Sequence, residues 1–275
     1  MSYGETLSSD LMNDLYARCA KTCIARGANA GGISYVRDGG IVIRKKPGSL
    51  VNAELSAPGD VKSLMAHCRL SLQGDQDFND NNHPFYGVTR DSTSYALAHN
   101  GVLSGLRDMR ARYSIPDSPI ETDSYGAVQL LNRSESLDLE SLRSVCEDLS
   151  GSFLFTILDE RNNLYLCRGD VPVFLIHFSE LELYLYVSTR DLFEQAIRGT
   201  ILDDLYVTSN IEIGMSPASL VPVGKGEIVK ISSEGNVERC CFNFNEEGAI
   251  KHNWYMHQIV GNHELEMQIK NLNNY

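Results

Sequence analysis

Positive charge is what this chain has too little of. Its 275 residues carry 24 Lys and Arg against 36 Asp and Glu, a formal net charge of −12. Nucleic acid is therefore not expected as a partner, because phosphate binding needs clustered Lys and Arg. The nearest basic patch, Arg44-Lys45-Lys46, is short and is expected at a solvated strand end. Long apolar runs are missing too. No stretch approaches the length that spans a bilayer, so no membrane partner is expected. Met1-Ser2-Tyr3-Gly4-Glu5 has neither a basic nor an apolar segment, so no signal peptide is expected. The seven cysteines are odd in number and lack CxxC spacing. They point away from a disulfide framework or a zinc site and towards a reducing, cytoplasmic compartment or a soluble assembly, viral ones included. No cofactor is implied.

What is present is ordinary globular composition, 43% hydrophobic and 22% charged, enough for a full core. Ser8 or Ser9 can cap a helix running to about Arg26, since Leu11, Leu15, Cys19 and Cys23 recur on one face and Gly27 follows. Ile33 to Arg37 and Ile41 to Lys45, joined by Asp38-Gly39, read as a hairpin. Leu64 to Leu70 and Tyr95 to His99 read as strands, with a polar loop from Gln73 to Pro84 between them. That loop is not a calcium site: Asp80 stands where such a loop needs Gly, and Tyr86 where it needs Glu. Helices are expected over Leu103 to Tyr113, Thr122 to Asn132 (capped by Thr122) and Leu139 to Leu149. A meander of strands follows, Phe153 to Leu158, Asn163 to Arg168, Val173 to Phe178 and Leu183 to Ser188. A short helix, Asp191 to Arg198, and a late strand, Glu227 to Ser232, complete the reading. Strands neighbouring in sequence imply antiparallel sheets with helices outside, an α+β domain.

A series of polar clusters occurs in a fixed order: Arg26-Gly27, Gly31-Gly32-Ile33, His67-Cys68-Arg69, His83-Pro84-Phe85, His99-Asn100-Gly101, Glu121-Thr122-Asp123 and Leu149-Ser150-Gly151-Ser152-Phe153. Their order resembles the glutaminase domain of class II glutamine amidotransferases, nearest to the branch of glucosamine-phosphate synthase and amidophosphoribosyltransferase. The resemblance spans roughly residues 10 to 235. It implies an N-terminal-nucleophile hydrolase sandwich, four layers ordered α-β-β-α around two antiparallel sheets, and the hydrolysis of glutamine to glutamate and ammonia. By the same resemblance Arg69 would hold the glutamine carboxylate and Asp123 its amine, with Arg26 counted among the substrate-binding residues. Asn100 and Gly101 would form the oxyanion hole.

The chain departs from that family where bonds are broken. The mechanism needs a nucleophile whose own α-amine is the base, normally an N-terminal cysteine. Here no cysteine precedes Cys19, which reads as mid-helix. Ser2 is the substitute candidate. The positions after Arg69 are Leu70-Ser71-Leu72-Gln73, without the family's threonine and histidine. The expectation is a catalytically degenerate protein that works as a binding or structural subunit, with glutamine or a related small molecule and another protein subunit as partners. The alternative is an active glutaminase with Ser2 as nucleophile; a further alternative places the missing strand upstream of Met1. Residues 1–240 are expected as the amidotransferase-like domain and 241–275 as a C-terminal extension or helix.

Overall fold

The computed structural model describes residues 1–4, 8–24, 27–51, 55–57, 61–70, 74–207 and 217–245. Helix α1, Ser9–Cys23, begins where the Ser8 hydroxyl accepts the Leu11 amide at 3.3 Å. Strands β1, Ala30–Arg37, and β2, Gly40–Pro47, form the expected hairpin. Its turn has Asp38 at φ 53 and Gly39 at φ 74, both left-handed as a two-residue hairpin demands. Strand β3, Leu64–Arg69, pairs with the other edge of β1, so the order is β2-β1-β3. Strand β1 is central in that sheet, and its first six residues are all buried.

The second sheet is larger. Its order is β12-β11-β7-β6-β5-β4, all antiparallel, built from β4, Phe85–Val88; β5, Ser94–Ser104; β6, Ser150–Asp159; β7, Leu164–Arg168; β11, Glu227–Ile231; and β12, Val237–Cys241. A third sheet has the order β10-β8-β9, from β8, Phe174–Phe178; β9, Leu183–Val187; and β10, Ala218–Leu220. Helices α2, Leu106–Tyr113; α3, Ser124–Leu131; and α4, Leu139–Asp148, follow β5, while α5, Arg190–Ile197, and α6, Ile201–Val207, follow β9.

The apolar clusters give the layering. Val128 and Leu131 of α3 and Leu142 and Val145 of α4 pack on Phe153, Phe155 and Ile157 of the six-stranded sheet. On that sheet's other face, Leu164, Leu166, Val229 and Ile231 meet Leu175 and Tyr184, and Ala96 and Ala98 meet Met65. Outside the small sheets, Leu15 of α1 and Phe193 of α5 cover Ile176 and Phe178, while Ala20 covers Ile33 and Tyr35. Helices, small sheets, large sheet and helices are stacked in that order. This is the α+β four-layer sandwich, with the fold of the N-terminal-nucleophile hydrolases.

Several expectations are corrected. The meander of four strands is split: β6 and β7 belong to the large sheet, β8 and β9 to a small one. Leu103 is not helical, because β5 stays paired with β6 as far as Ser104 opposite Ser150. Thr122 does not cap α3: its hydroxyl is buried without a partner, and the helix starts two residues later. Strands β4, β10 and β12 and helix α6 add to the reading. The body also runs past Cys241, since Phe242 and Phe244 pack against Phe153.

Candidate functional site

Three segments meet at one end of the sandwich: the end of β3, the middle of β5 and the start of α3. Arg69 is the last residue of β3 and only 4% exposed. A buried guanidinium must find acceptors or lose several kcal/mol. Nη1 donates to Asn82 Oδ1 at 2.5 Å and Nη2 to the Gly74 carbonyl at 3.1 Å. Burial lowers its pKa, which the negative charges of Asp123 and Asp75 oppose.

Asp123, 8% exposed, sits just before α3 and accepts the Leu103 amide on Oδ2 at 2.6 Å. That bond fixes the carboxylate against β5 and takes over a backbone donor that β6 does not use. His99 of β5 joins the two segments. Its Nδ1 is 2.8 Å from the Ser124 hydroxyl and its Nε2 3.4 Å from the Ser152 carbonyl. A carbonyl only accepts, so Nε2 carries the proton and Nδ1 takes one from Ser124. Asn100, half-buried, and Gly101, exposed, follow His99 towards solvent. Gly101 has φ 135, and a Cβ there would lie 2.0 Å from the Ser152 carbonyl oxygen, so only glycine fits.

The loop before β4, which the sequence presents simply as polar, is the scaffold of this site. Asn81 and Asn82 are fully buried. Asn81 Oδ1 accepts the Glu121 amide at 2.8 Å, and Nδ2 donates to Glu121 Oε2 at 3.1 Å, tying the loop to the Glu121-Thr122-Asp123 segment. Asn82 accepts from Arg69 while its Nδ2 donates to the Gln76 carbonyl at 2.8 Å. Lys45 comes from β2 and donates to the Asn82 carbonyl at 2.7 Å, with its ammonium over the Phe85 ring. So the middle residue of the basic run is half-buried, not solvated, and burial lowers its pKa to about 8.

Two further histidines complete the cluster. His67 Nε2 donates to the His99 carbonyl at 3.0 Å, and its ring lies 4.4 Å from that of His83. Burial, followed by the neighbouring His99 and then Arg69, lowers His67 to about 4, and burial, followed by His67 and His99, holds His83 well below its ordinary value. His99 is lowered as well, chiefly by burial. All three imidazoles are thus neutral at pH 7, leaving Arg69 and Lys45 as the cluster's cations. His67 Nδ1 and both ring nitrogens of His83 are buried without a partner, which leaves hydrogen-bonding capacity inside the cluster.

Of the expected residues, the fold brings Arg69, Asp123, Asn100 and Gly101 together, and Arg26 lies outside the described residues. Ser2 is elsewhere. Its amide donates to the Lys62 carbonyl at 2.8 Å, and it bridges to Leu183 at the start of β9. Lys62 lies two residues ahead of β3, and the length of β3, at about 3.3 Å per residue, separates it from Arg69. The Ser2 hydroxyl bonds its own neighbourhood, donating to the Gly4 carbonyl at 3.2 Å. The nearest thiol in sequence to Arg69 is Cys68, where a hydrogen bond to Cys23 and burial push the pKa far up. Among the described residues no group of His, Cys, Asp and Glu could hold a metal ion, and no helix is long and apolar enough to cross a membrane.

No protein-family model matches the chain. Among curated proteins it is similar to the 7-cyano-7-deazaguanine synthase of Saccharolobus solfataricus, 25% identical over 179 residues, covering 62% of this chain and 37% of that protein. The glutamine–fructose-6-phosphate aminotransferase (isomerizing) of Fusobacterium nucleatum is 29% identical over 161 residues, 54% of this chain and 25% of that protein. The chain spans between a quarter and two fifths of these relatives. Among solved structures, the glutamine phosphoribosylpyrophosphate amidotransferase from B. subtilis superposes with a TM-score of 0.63 at 19% identity, over 85% of this chain and 47% of that one.

Proposed function

We propose that this chain, similar in fold and sequence to class II glutamine amidotransferases, works as a binding or structural subunit and does not hydrolyse glutamine. The observation that supports this reading is the position of Ser2. An N-terminal nucleophile must stand beside the oxyanion donors and the substrate-holding pair. The Ser2 amide is instead bonded to Lys62, two residues ahead of the strand that ends in Arg69. The Cys68 thiol, beside Arg69 in sequence, is held protonated, so it supplies no thiolate.

The binding half of the chemistry has better support. Arg69 and Asp123 offer opposite charges in a buried setting, Asn100 and Gly101 lie at its rim, and three neutral imidazoles supply donors and acceptors. A small molecule bearing both a carboxylate and an ammonium, glutamine or a relative, suits that set. Arg69 would exchange its Asn82 and Gly74 acceptors for the ligand's carboxylate, so binding carries a reorganisation cost that an open pocket would not.

The test is an ammonia-release assay with glutamine on protein of verified N-terminus, accompanied by calorimetry. Release no faster than the buffer blank is expected. Ammonia release that disappears in Ser2→Ala would overturn the reading in favour of a working glutaminase. Heat of binding without turnover marks a glutamine-binding subunit, and loss of that heat in Arg69→Ala places the ligand.

A further inference from the structure

Strands β2 and β4 are the outer strands of their sheets, and each has one edge with no strand beside it among the described residues. The two strands lie alongside each other where the small sheet meets the large one. An open cleft of about 620 Å³ is lined from both. β2 contributes Ile43, Arg44, Lys45 and Lys46, and β4 contributes Tyr86. Leu55 and Pro84 add apolar wall, and Asn79 and Asp80 add polar groups. Side chains alternate between the faces of a strand, so Arg44 and Lys46 stand on one face of β2 and Lys45 on the other. All three line the cleft, which therefore wraps around the free edge of β2.

Three consecutive cations meet one carboxylate there, that of Asp80, so the cleft is positive by two in a chain whose net charge is −12. Acidic side chains are plentiful in this chain, yet these cations have few partners. Among the described residues the Lys46 ammonium has no hydrogen bond or ion pair, and the Arg44 guanidinium reaches only the Ser56 carbonyl, at 3.5 Å. Lys45 is half-buried, with its ammonium on the Asn82 carbonyl. Lysines on an outer strand also guard it against pairing with another sheet. That role accounts for Lys46, but it needs neither a half-buried Lys45 nor an apolar wall. Ile43, Leu55 and Pro84 supply that wall, and Tyr86 stands with them, 53% exposed. Small-molecule sites have this make-up and this size: apolar and aromatic walls with a few charges that fix orientation.

We propose that the cleft between β2 and β4 binds a small organic dianion, a phosphate monoester or a dicarboxylate, whose apolar or aromatic body lies against Tyr86 and Pro84. Arg44 offers a planar fork for two of the anion's oxygens, and Lys46 a point charge. Two negative charges answer the surplus of two, whereas a single carboxylate leaves one cation unanswered. Lys45 ties the cleft to the loop that holds Arg69, because the Asn82 whose carbonyl it bonds also accepts from Arg69. The inference does not depend on whether Arg69 and Asp123 hold glutamine.

The experiment is calorimetric titration of the whole chain with phenyl phosphate and with phenylsuccinate, using benzoate and benzyl alcohol as monoanionic and neutral controls. At least one dianion should bind about tenfold or more tightly than benzoate, a difference of about 1.4 kcal/mol. The tighter of the two identifies the anion. Arg44→Gln combined with Lys46→Gln should weaken that dianion at least about tenfold, and Tyr86→Ala should weaken it too. All three side chains are exposed. Amide shifts of the unsubstituted chain locate the heat independently of any variant, and changes are expected at residues 43–46 and at Tyr86. Shifts at Arg69 and Asp123 without shifts in β2 place the anion in the candidate site and overturn the proposal. It is overturned equally if neither dianion binds better than benzoate, or if the double substitution leaves binding unchanged. Self-association of the double variant without any dianion binding to the unsubstituted chain marks the cations as guards of the edge only.

Discussion

Arg69 donates to the side-chain oxygen of Asn82 at 2.5 Å, and this bond couples the end of β3 to a loop that otherwise has only a 3-10 turn for regular structure. A charged donor is stabilised by a neutral amide that is itself fixed, through its Nδ2, to the Gln76 carbonyl. Arg69 is therefore held in place by the protein's own groups.

Asn82→Ala leaves a buried guanidinium with one acceptor fewer. Hydrogen bonds to charged groups contribute roughly 1.5–3 kcal/mol, so urea unfolding should show a loss of about that size. A change below roughly 0.5 kcal/mol would mean that Arg69 finds another acceptor at no cost.

The three buried histidines make the fold acid-sensitive. His67 is lowered from 6.5 to about 4, and His83 and His99 are lowered as well. Between those values the unfolded chain binds protons that the folded chain refuses, so stability is full above about pH 6.5 and falls as the pH drops towards 4. His67 alone accounts for on the order of 3 kcal/mol across that window. Urea midpoints at pH 7 and pH 5 should differ accordingly, and His83→Phe should reduce the difference.

Gly101→Ala should be severe. At φ 135 a side chain is strained, and its Cβ would meet the Ser152 carbonyl oxygen at 2.0 Å. A loss of about 3 kcal/mol or more in chemical denaturation is expected. Gly39→Ala has open space and carries only the cost of its left-handed turn, so it should be much milder.

Alkylation should sort the thiols. Cys19 is raised to about 12, mainly by burial, and Cys68 is raised further by its hydrogen bond to Cys23. Cys146 is buried and raised as well. Cys241 is exposed. Peptide mapping after brief iodoacetamide treatment at pH 8 should find Cys241 modified well before Cys19, Cys68 or Cys146. Early labelling of Cys68 would contradict its packing against Cys23.

The local elements were legible where one residue type decides the geometry. Asp38-Gly39 determined a hairpin, and Ser8 determined the start of α1. What could not be read was long-range satisfaction. Asn81 and Asn82 look like loop residues until Glu121 and Arg69, forty and thirteen positions away, are placed beside them. Thr122 has the spacing of a cap, but α3 begins only at Ser124 and the neighbouring Asp123 bonds across to Leu103 instead. The split of the meander was hidden for the same reason: β7 and β8 are equally strand-like, and only packing assigns them to different layers. The candidate site was legible as motifs through family resemblance. The position of Ser2 was not, because a place near the start of the sequence carries no information about which end of a sheet a residue occupies.

The stitch between Met1 and Tyr184 closes a loop of 183 positions. Closing so long a loop costs entropy that local hairpins avoid, and contacts of that span form late. The β1–β2 and β8–β9 hairpins are each local, and α1 spans both, with Leu15 against Ile176 and Ala20 against Ile33, so the stitch is expected to close after α1 has docked on the two. Substitutions at Ser2 or Tyr3 should then speed unfolding while leaving the folding rate nearly unchanged, a kinetic signature of a seam that forms after the rest of the structure.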